Sequence, residues 1–120
     1  MKVLITGTNG QLGWEMVKQS PIYDLETIPF DKEKLDITNF KQLQSVIKKY
    51  KPEIIVNTAA YTSVDLAEKN HKEAHEVNHH AVRNLAKICK EYSILFIHIS
   101  TDYVFDGKKR LPYLEIDDVN

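Results

Sequence analysis

The residues best suited to chemistry near the start of this chain are three glycines spaced three apart, in Gly7-Thr8-Asn9-Gly10-Gln11-Leu12-Gly13. A turn of that composition is tight, and it brings backbone N–H groups toward an anion with no Cβ in the way. Asp31 lies 18 residues beyond Gly13, close to the ~20 at which an acid commonly meets a ribose hydroxyl. Lys32 and Lys34 stand beside it, and they are suited to neutralising a 2′-phosphate, so a choice between the two kinds of ribose stays open at this point. Near the other end, Ser100 and Thr101 place two hydroxyls side by side. His71, His75 and His79 recur every four residues, a spacing that presents imidazoles along one flank of a helix.

The elements around these residues alternate. Lys2-Val-Leu-Ile-Thr6 is an apolar, β-branched run that reads as a strand buried on both faces. Gln11 to Gln19 sets Leu12, Met16 and Val17 on one side, which predicts a helix ended by Ser20-Pro21. A second strand is expected from Leu25 to Phe30. Thr38 is placed to cap a helix running to Tyr50, with Phe40, Leu43, Val46 and Ile47 on one face and Pro52 closing it. Glu53 to Asn57 makes a third strand.

From Val64 to Tyr92 the pattern is a broken and then long helix whose buried stripe is Ala74, Val77, Ala81, Leu85 and Ile88. Ser93 to Ser100 makes a fourth strand. Four strands alternating with helices predict an α/β fold, a Rossmann-type doubly wound parallel sheet with right-handed crossovers. Ligands of such sheets sit at the carboxyl ends of the strands, here expected near a switch point between the first and fourth strands that joins Gly7 to Ser100 and Thr101.

Composition narrows the function classes. Sixteen basic and seventeen acidic residues leave a net charge of −1, so no global field draws nucleic acid or an anionic membrane. No stretch reaches the ~20 apolar residues of a membrane span. The chain opens directly on a strand, leaving no room for a signal peptide, and its single cysteine, Cys89, sits in an apolar helical pattern as a packed thiol. These features lead to the expectation of a cytoplasmic protein. The same reasoning reads the three histidines as a solvated face, His98 as a satisfied core histidine, and Lys108-Lys109-Arg110 as a solvated loop.

Four blocks carry a resemblance. They are Gly10-Gln11-Leu12-Gly13; Leu35-Asp36-Ile37-Thr38; Asn57-Thr58-Ala59-Ala60-Tyr61-Thr62-Ser63-Val64-Asp65-Leu66-Ala67-Glu68; and Ser100-Thr101-Asp102-Tyr103-Val104-Phe105-Asp106-Gly107. The first follows the G-x-x-G-x-x-G spacing of short-chain dehydrogenases. Together they resemble the dTDP-4-dehydrorhamnose reductases, an extended short-chain dehydrogenase family, over essentially the whole chain.

The resemblance implies reduction of dTDP-4-dehydro-L-rhamnose to dTDP-L-rhamnose with NADPH or NADH. It implies that Gly7, Asn9, Gly10, Gln11, Leu12, Gly13, Asp31, Asp36, Ile37, Ala59, Ala60, Tyr61, Asn78 and Ser100 serve the cofactor. It also implies that Thr62, Val64, Thr101, Asp102, Tyr103 and Phe105 approach the sugar, with Thr101 as the catalytic hydroxyl. Mg2+ and a homodimer contact belong, in some members, to the full-length parent through a glutamate at the position of Glu15, which here reads as an exposed helix acid.

One part of the family pattern is missing. The residues four places after the six tyrosines are Thr27, Ile54, Asp65, Phe96, Gly107 and Asp117, and none is lysine. The family's catalytic tyrosine and lysine are therefore expected beyond Asn120, as is the substrate domain. Residues 1–120 form a truncated NAD(P)-binding domain on this reading and lack activity alone. Two other functions fit the same residues. One is a non-catalytic, dinucleotide-binding regulatory subunit similar to the beta subunit of methionine adenosyltransferase. The other is an epimerase or dehydratase acting on another sugar nucleotide.

Overall fold

The computed structural model describes residues 1–67 and 69–119, without the side chains of Val64 and Asp65. Four strands, β1 (Lys2–Thr6), β2 (Glu26–Phe30), β3 (Ile54–Asn57) and β4 (Leu95–His98), form one sheet in the order β2-β1-β3-β4. All pairings are parallel, and the register aligns Thr6 with Phe30 and with Asn57, and Asn57 with His98. The carboxyl ends of all four strands thus share one edge.

The helices are α1 (Gln11–Gln19), α2 (Phe40–Tyr50), α3 (Val64–Ala67), α4 (His71–His75) and α5 (Val82–Glu91). Alternation along β1 and β3 sends Leu4 and Ile55 to one face, where they pack with Leu43 and Ile47 of α2 and Leu85 and Ile88 of α5. Val3, Ile5 and Val56 point to the other face and meet Met16 and Val17 of α1. Burying residues of this kind stabilises by roughly 1.5–3 kcal/mol each, so these two layers fix the sheet edge on which the loops stand. The outer strand is less covered: Leu95 and Ile97 in β4, and Ile99 just after it, remain 58%, 42% and 44% exposed. No helix among the described residues is long and apolar enough to cross a membrane.

The structure departs from the sequence expectations in local ways with clear causes. Leu12 faces outward, because α1 meets the sheet through buried Gly13 and, one turn on, Met16 and Val17. The chain does not leave helical geometry at Ser20; a 3-10 turn runs over Ser20–Tyr23, with Pro21 at its start and Asp24 closing it in the left-handed region at φ 53°. Thr38 does not cap α2. Its backbone N–H and hydroxyl both donate to Asp36 Oδ1, at 2.9 and 2.7 Å, and Asn39 caps instead, its Oδ1 accepting from the Gln42 N–H at 3.1 Å.

The long helix is broken by a π turn at Glu76–Ala81 between α4 and α5. Ala81 at its end, and Leu85 and Ile88 beyond it, are buried as the stripe requires. β4 is shorter than expected, since Ser93 turns through a left-handed φ of 55° to end the helix before it. The largest difference is topological. β3 stands between β1 and β4, so the strand order reverses between β1 and β3 and not between the first and fourth strands.

Candidate functional site

The loop after β1 is shaped by contacts that leave no space for side chains. Gly7 has φ 77°, and a Cβ there would lie 2.6 Å from the Ala59 nitrogen. A Cβ on Gly13 would lie 2.6 Å from the Gly7 carbonyl oxygen and 2.8 Å from Thr58 Oγ1. Real Cβ atoms do not approach backbone that closely, so glycine is what allows the first turn, the start of α1 and the end of β3 to converge. Thr58 completes the joint by donating its hydroxyl to the Thr6 carbonyl at 2.6 Å.

Gly10 precedes α1 and its N–H donates to the Gly7 carbonyl at 3.0 Å. No side chain caps the helix. Its first N–H groups and its partial positive charge are therefore directed at whatever anion stands in front of the turn. In front of it lies a cleft of about 250 Å3. Gly7, Asn9 and Gly10 form one wall; Ala59, Ala60, Tyr61 and Thr62 form the other; Lys32, Leu35, Asp36 and Ile37 close the end near β2. A Cβ at Gly7 or Gly13 would strike Ala59, Thr58 or the Gly7 carbonyl, so these glycines shape the turn that borders the cleft, and a turn with an uncapped helix behind it suits an anion.

Two asparagines hold the far wall. Asn57 is fully buried, and its Oδ1 accepts from the Thr6 hydroxyl at 2.6 Å and from the Ala59 N–H at 3.3 Å. Its Nδ2 lies 3.0 Å from His98 Nδ1 and is the donor there, because Oδ1 is already engaged. Asn78, in the π turn, grips the Tyr61 backbone from outside the cleft. Sequence reasoning did not single out Asn57, Thr58, Leu35 or Val77 as site residues. Only for Asn57 was there a usable signal, a polar residue closing an otherwise apolar strand.

Other candidates take different places. Asp31 lies beside the cleft, not in its lining. Its Oδ1 accepts from the Lys34 N–H at 2.9 Å and its Oδ2 sits 3.2 Å from Lys34 Nζ. That N–H, then the ammonium, hold its carboxyl below the usual carboxylate range. Gln11 and Leu12 are exposed, and Leu12 faces Glu15 and Met16 on the other side of α1. Val64 opens α3, but its side chain lies outside the described residues.

Ser100, Thr101, Asp102 and Tyr103 are exposed and do not line the cleft. Thr101 Oγ1 accepts from the Tyr103 N–H at 3.2 Å, capping a 3-10 turn over Asp102–Val104. Phe105 stacks on Tyr113 with centroids 4.2 Å apart. The expected meeting of Gly7 with Ser100 and Thr101 is not formed, since β3 intervenes and Gly7 abuts Ala59.

His98, expected in the core, is exposed on the outer strand, though partial burial of its ring lowers its pKa from the ordinary value against an opposing hydrogen bond with the Asn57 backbone. His71, His75 and His79 are exposed, with the last two stacked at 4.7 Å. Among the described residues no three His, Cys, Asp or Glu side chains group as a metal site. Glu15 is exposed and accepts from Gln19 Nε2 at 3.2 Å. Cys89 is buried, and desolvation pushes its thiol up to about 11.

A parallel sheet whose order reverses beside a glycine turn, with an uncapped helix behind that turn, defines the Rossmann class of nucleotide-binding folds. The family described as "RmlD substrate binding domain" matches residues 1–120, and the chain belongs to that family. It is 43% identical over 117 residues to a dTDP-4-dehydrorhamnose reductase of Burkholderia thailandensis, covering 98% of this chain and 39% of that protein.

Among solved structures, a dTDP-4-dehydrorhamnose reductase of Clostridium acetobutylicum superposes with TM-score 0.95 at 42% identity, over 100% of this chain and 43% of that one. One from Bacillus anthracis in complex with NADP gives TM-score 0.94 at 40% identity, over 99% and 43%. The chain spans about 40% of the length of the curated relatives it matches.

Proposed function

We propose that residues 1–120 are the NAD(P)-binding part of a dTDP-4-dehydrorhamnose reductase whose substrate domain lies outside them. The observation that carries this reading is the glycine cradle, in which Gly7 and Gly13 press against Ala59 and Thr58 and leave the amides at the head of α1 facing the cleft. The relatives named above support the substrate class, and the NADP held by the Bacillus anthracis protein supports a nicotinamide cofactor.

In this reading the diphosphate rests on the Gly10 to Gly13 segment, with Asn9 beside it. The adenosine end lies toward Asp31, Asp36 and Ile37. Ala59, Ala60 and Tyr61 line the groove, and Asn78 steadies it. Bound NAD(P)H supplies the hydride that reduces the sugar ketone. Ser100 borders the nicotinamide end, and the Thr101 hydroxyl, which donates to Asp102 Oδ1 at 3.3 Å, turns that proton to the carbonyl oxygen where charge develops. Thr62, Val64, Asp102, Tyr103 and Phe105 face the sugar. A cytoplasmic location, a homodimer and a Mg2+ contact through Glu15 are parts of the same proposal for the full-length parent.

Residues 1–120 contain no tyrosine with a lysine four positions on, so nothing in them supplies the family's proton donor. The 120-residue chain is expected to bind cofactor and turn over nothing. The test is NADPH oxidation with dTDP-4-dehydro-L-rhamnose, run on this chain and on the complete gene product. Turnover by the complete product alone supports the proposal. Turnover by the 120-residue chain, or none by the complete product, overturns it.

A further inference from the structure

The segment after β4 is organised by its own side chains. Phe105 and Tyr113 stack with centroids 4.2 Å apart and planes 9° from parallel, and both are partly buried while Tyr103 and Leu111 stay 75% and 72% exposed. Neither ring belongs to the two layers that hold the sheet. The Tyr113 hydroxyl is engaged twice: it donates to Asp106 Oδ1 at 2.9 Å and accepts from the Lys109 N–H at 3.2 Å. Asp106 Oδ1 also accepts from the Lys108 N–H at 3.0 Å. That N–H, then the Tyr113 hydroxyl, hold the Asp106 carboxyl below the usual carboxylate range, so it is a charged acceptor at neutral pH. Behind this pair, Asp117 Oδ2 accepts from the Leu114 N–H at 2.7 Å and pairs with the Lys109 ammonium. Lys109, grouped above with a solvated loop, is thus part of the tie. Residues on both sides of the Gly107 turn meet at one side chain, Tyr113.

We propose that Tyr113 is a positioning residue for sugar binding: its ring backs Phe105 and its hydroxyl fixes the turn from Asp106 to Lys109, so that Phe105 is in place before the sugar arrives. The inference rests on the reductase reading above, in which Phe105 faces the sugar. A loop ordered in advance spares the substrate the entropy of ordering it. Such a contribution serves the ground state and the transition state alike, so its loss raises KM and leaves kcat in place. The cofactor cleft is lined by other segments, and its occupancy does not depend on Tyr113.

The test is steady-state reduction of dTDP-4-dehydro-L-rhamnose with NADPH by the complete gene product, in its original sequence and as Tyr113→Phe, Tyr113→Leu, Asp106→Ala and the double variant Tyr113→Phe with Asp106→Ala. Tyr113→Phe keeps the stack and loses the tie to Asp106, and its KM for the sugar nucleotide is expected to rise about threefold. Tyr113→Leu loses both, for a rise on the order of tenfold. In each, kcat and the KM for NADPH are expected to stay within about twofold. The double variant is expected to cost no more than Asp106→Ala alone, because both changes remove the same hydrogen bond. Circular dichroism melts establish that each variant is folded. If the KM for the sugar nucleotide stays put, rises together with that for NADPH, or gives way to a fall in kcat, the positioning role is overturned while the reductase reading stands. If the original complete product turns over nothing, both fall together.

Discussion

The side-chain amide of Asn78 holds both polar groups of the Tyr61 backbone, accepting from its N–H at 2.8 Å and donating to its carbonyl at 3.1 Å. The side chain thus imitates a strand partner for a single residue. It reaches Tyr61 from a π turn, where the extra residue per turn rotates Asn78 out of the register an α-helix would impose. Replacing Asn78 with alanine is expected to destabilise the chain by about 1 kcal/mol and to weaken NADP+ binding more than that loss alone accounts for, because the wall from Ala59 to Thr62 is released. Urea denaturation alongside cofactor titration measures the two effects separately; undiminished binding would show that the clamp has no part in the cleft.

Gly7→Ala must tolerate both a left-handed φ and a Cβ 2.6 Å from the Ala59 nitrogen. The expected loss is about 2–4 kcal/mol. Gly13→Ala meets the Gly7 carbonyl at the same distance and should behave similarly. Gly10→Ala is the control: its φ is −81° and its nearest contact is 3.3 Å, for a loss below about 1 kcal/mol. Denaturation midpoints rank the three, and an equal cost at all three positions would refute the convergence argument.

His98 carries a pH prediction. Its folded pKa lies below the ordinary 6.5, chiefly through desolvation, and the Asn57 Nδ2 donor facing Nδ1 disfavours a second proton on the ring. Lowering in the fold means that the unfolded chain takes up the proton first. The stability contribution is therefore complete above pH 6.5 and is lost as pH falls through the lowered folded value. Asp31, Asp106 and Asp117 are also lowered, but from 3.8, so they act in a more acidic window. Chemical denaturation from about pH 8 to pH 5 should show a decline that His98→Gln flattens.

The Cys89 thiol, raised to about 11 by burial, should resist modification. Ellman's reagent at about pH 8 is expected to react only as fast as the chain opens, and to react at once in denaturant. Rapid labelling of the folded chain would contradict the packing of α5 against the sheet.

Much of this architecture was legible because it depends on short-range pattern. The apolar run at Lys2 to Thr6, the stripe through Leu43 and Ile47, and the spacing of Ala81, Leu85 and Ile88 each state a period and a buried face. The glycine turn was legible because its spacing sits between a strand and a helix. Strand order was not, since it depends on which distant segments pair, and β3 rather than β4 took the place beside β1. Leu12 was misread because the closest approach of helix to sheet is made by a residue with no side chain. Thr38 and Asn39 both suit a cap, and the choice turned on Asp36 claiming the threonine hydroxyl. The roles of Asn57 and Lys34 lie in partners 41 residues away for the first and at a particular rotamer for the second.

The row of Leu95 and Ile97 on β4, continued by Ile99 just past its end, has a practical side. An unshielded hydrophobic ledge next to unpaired strand amides is a template for self-association, whatever the integrity of the rest of the fold. Light scattering against concentration would reveal it, and dilute samples are the ones in which the titrations above report on single molecules.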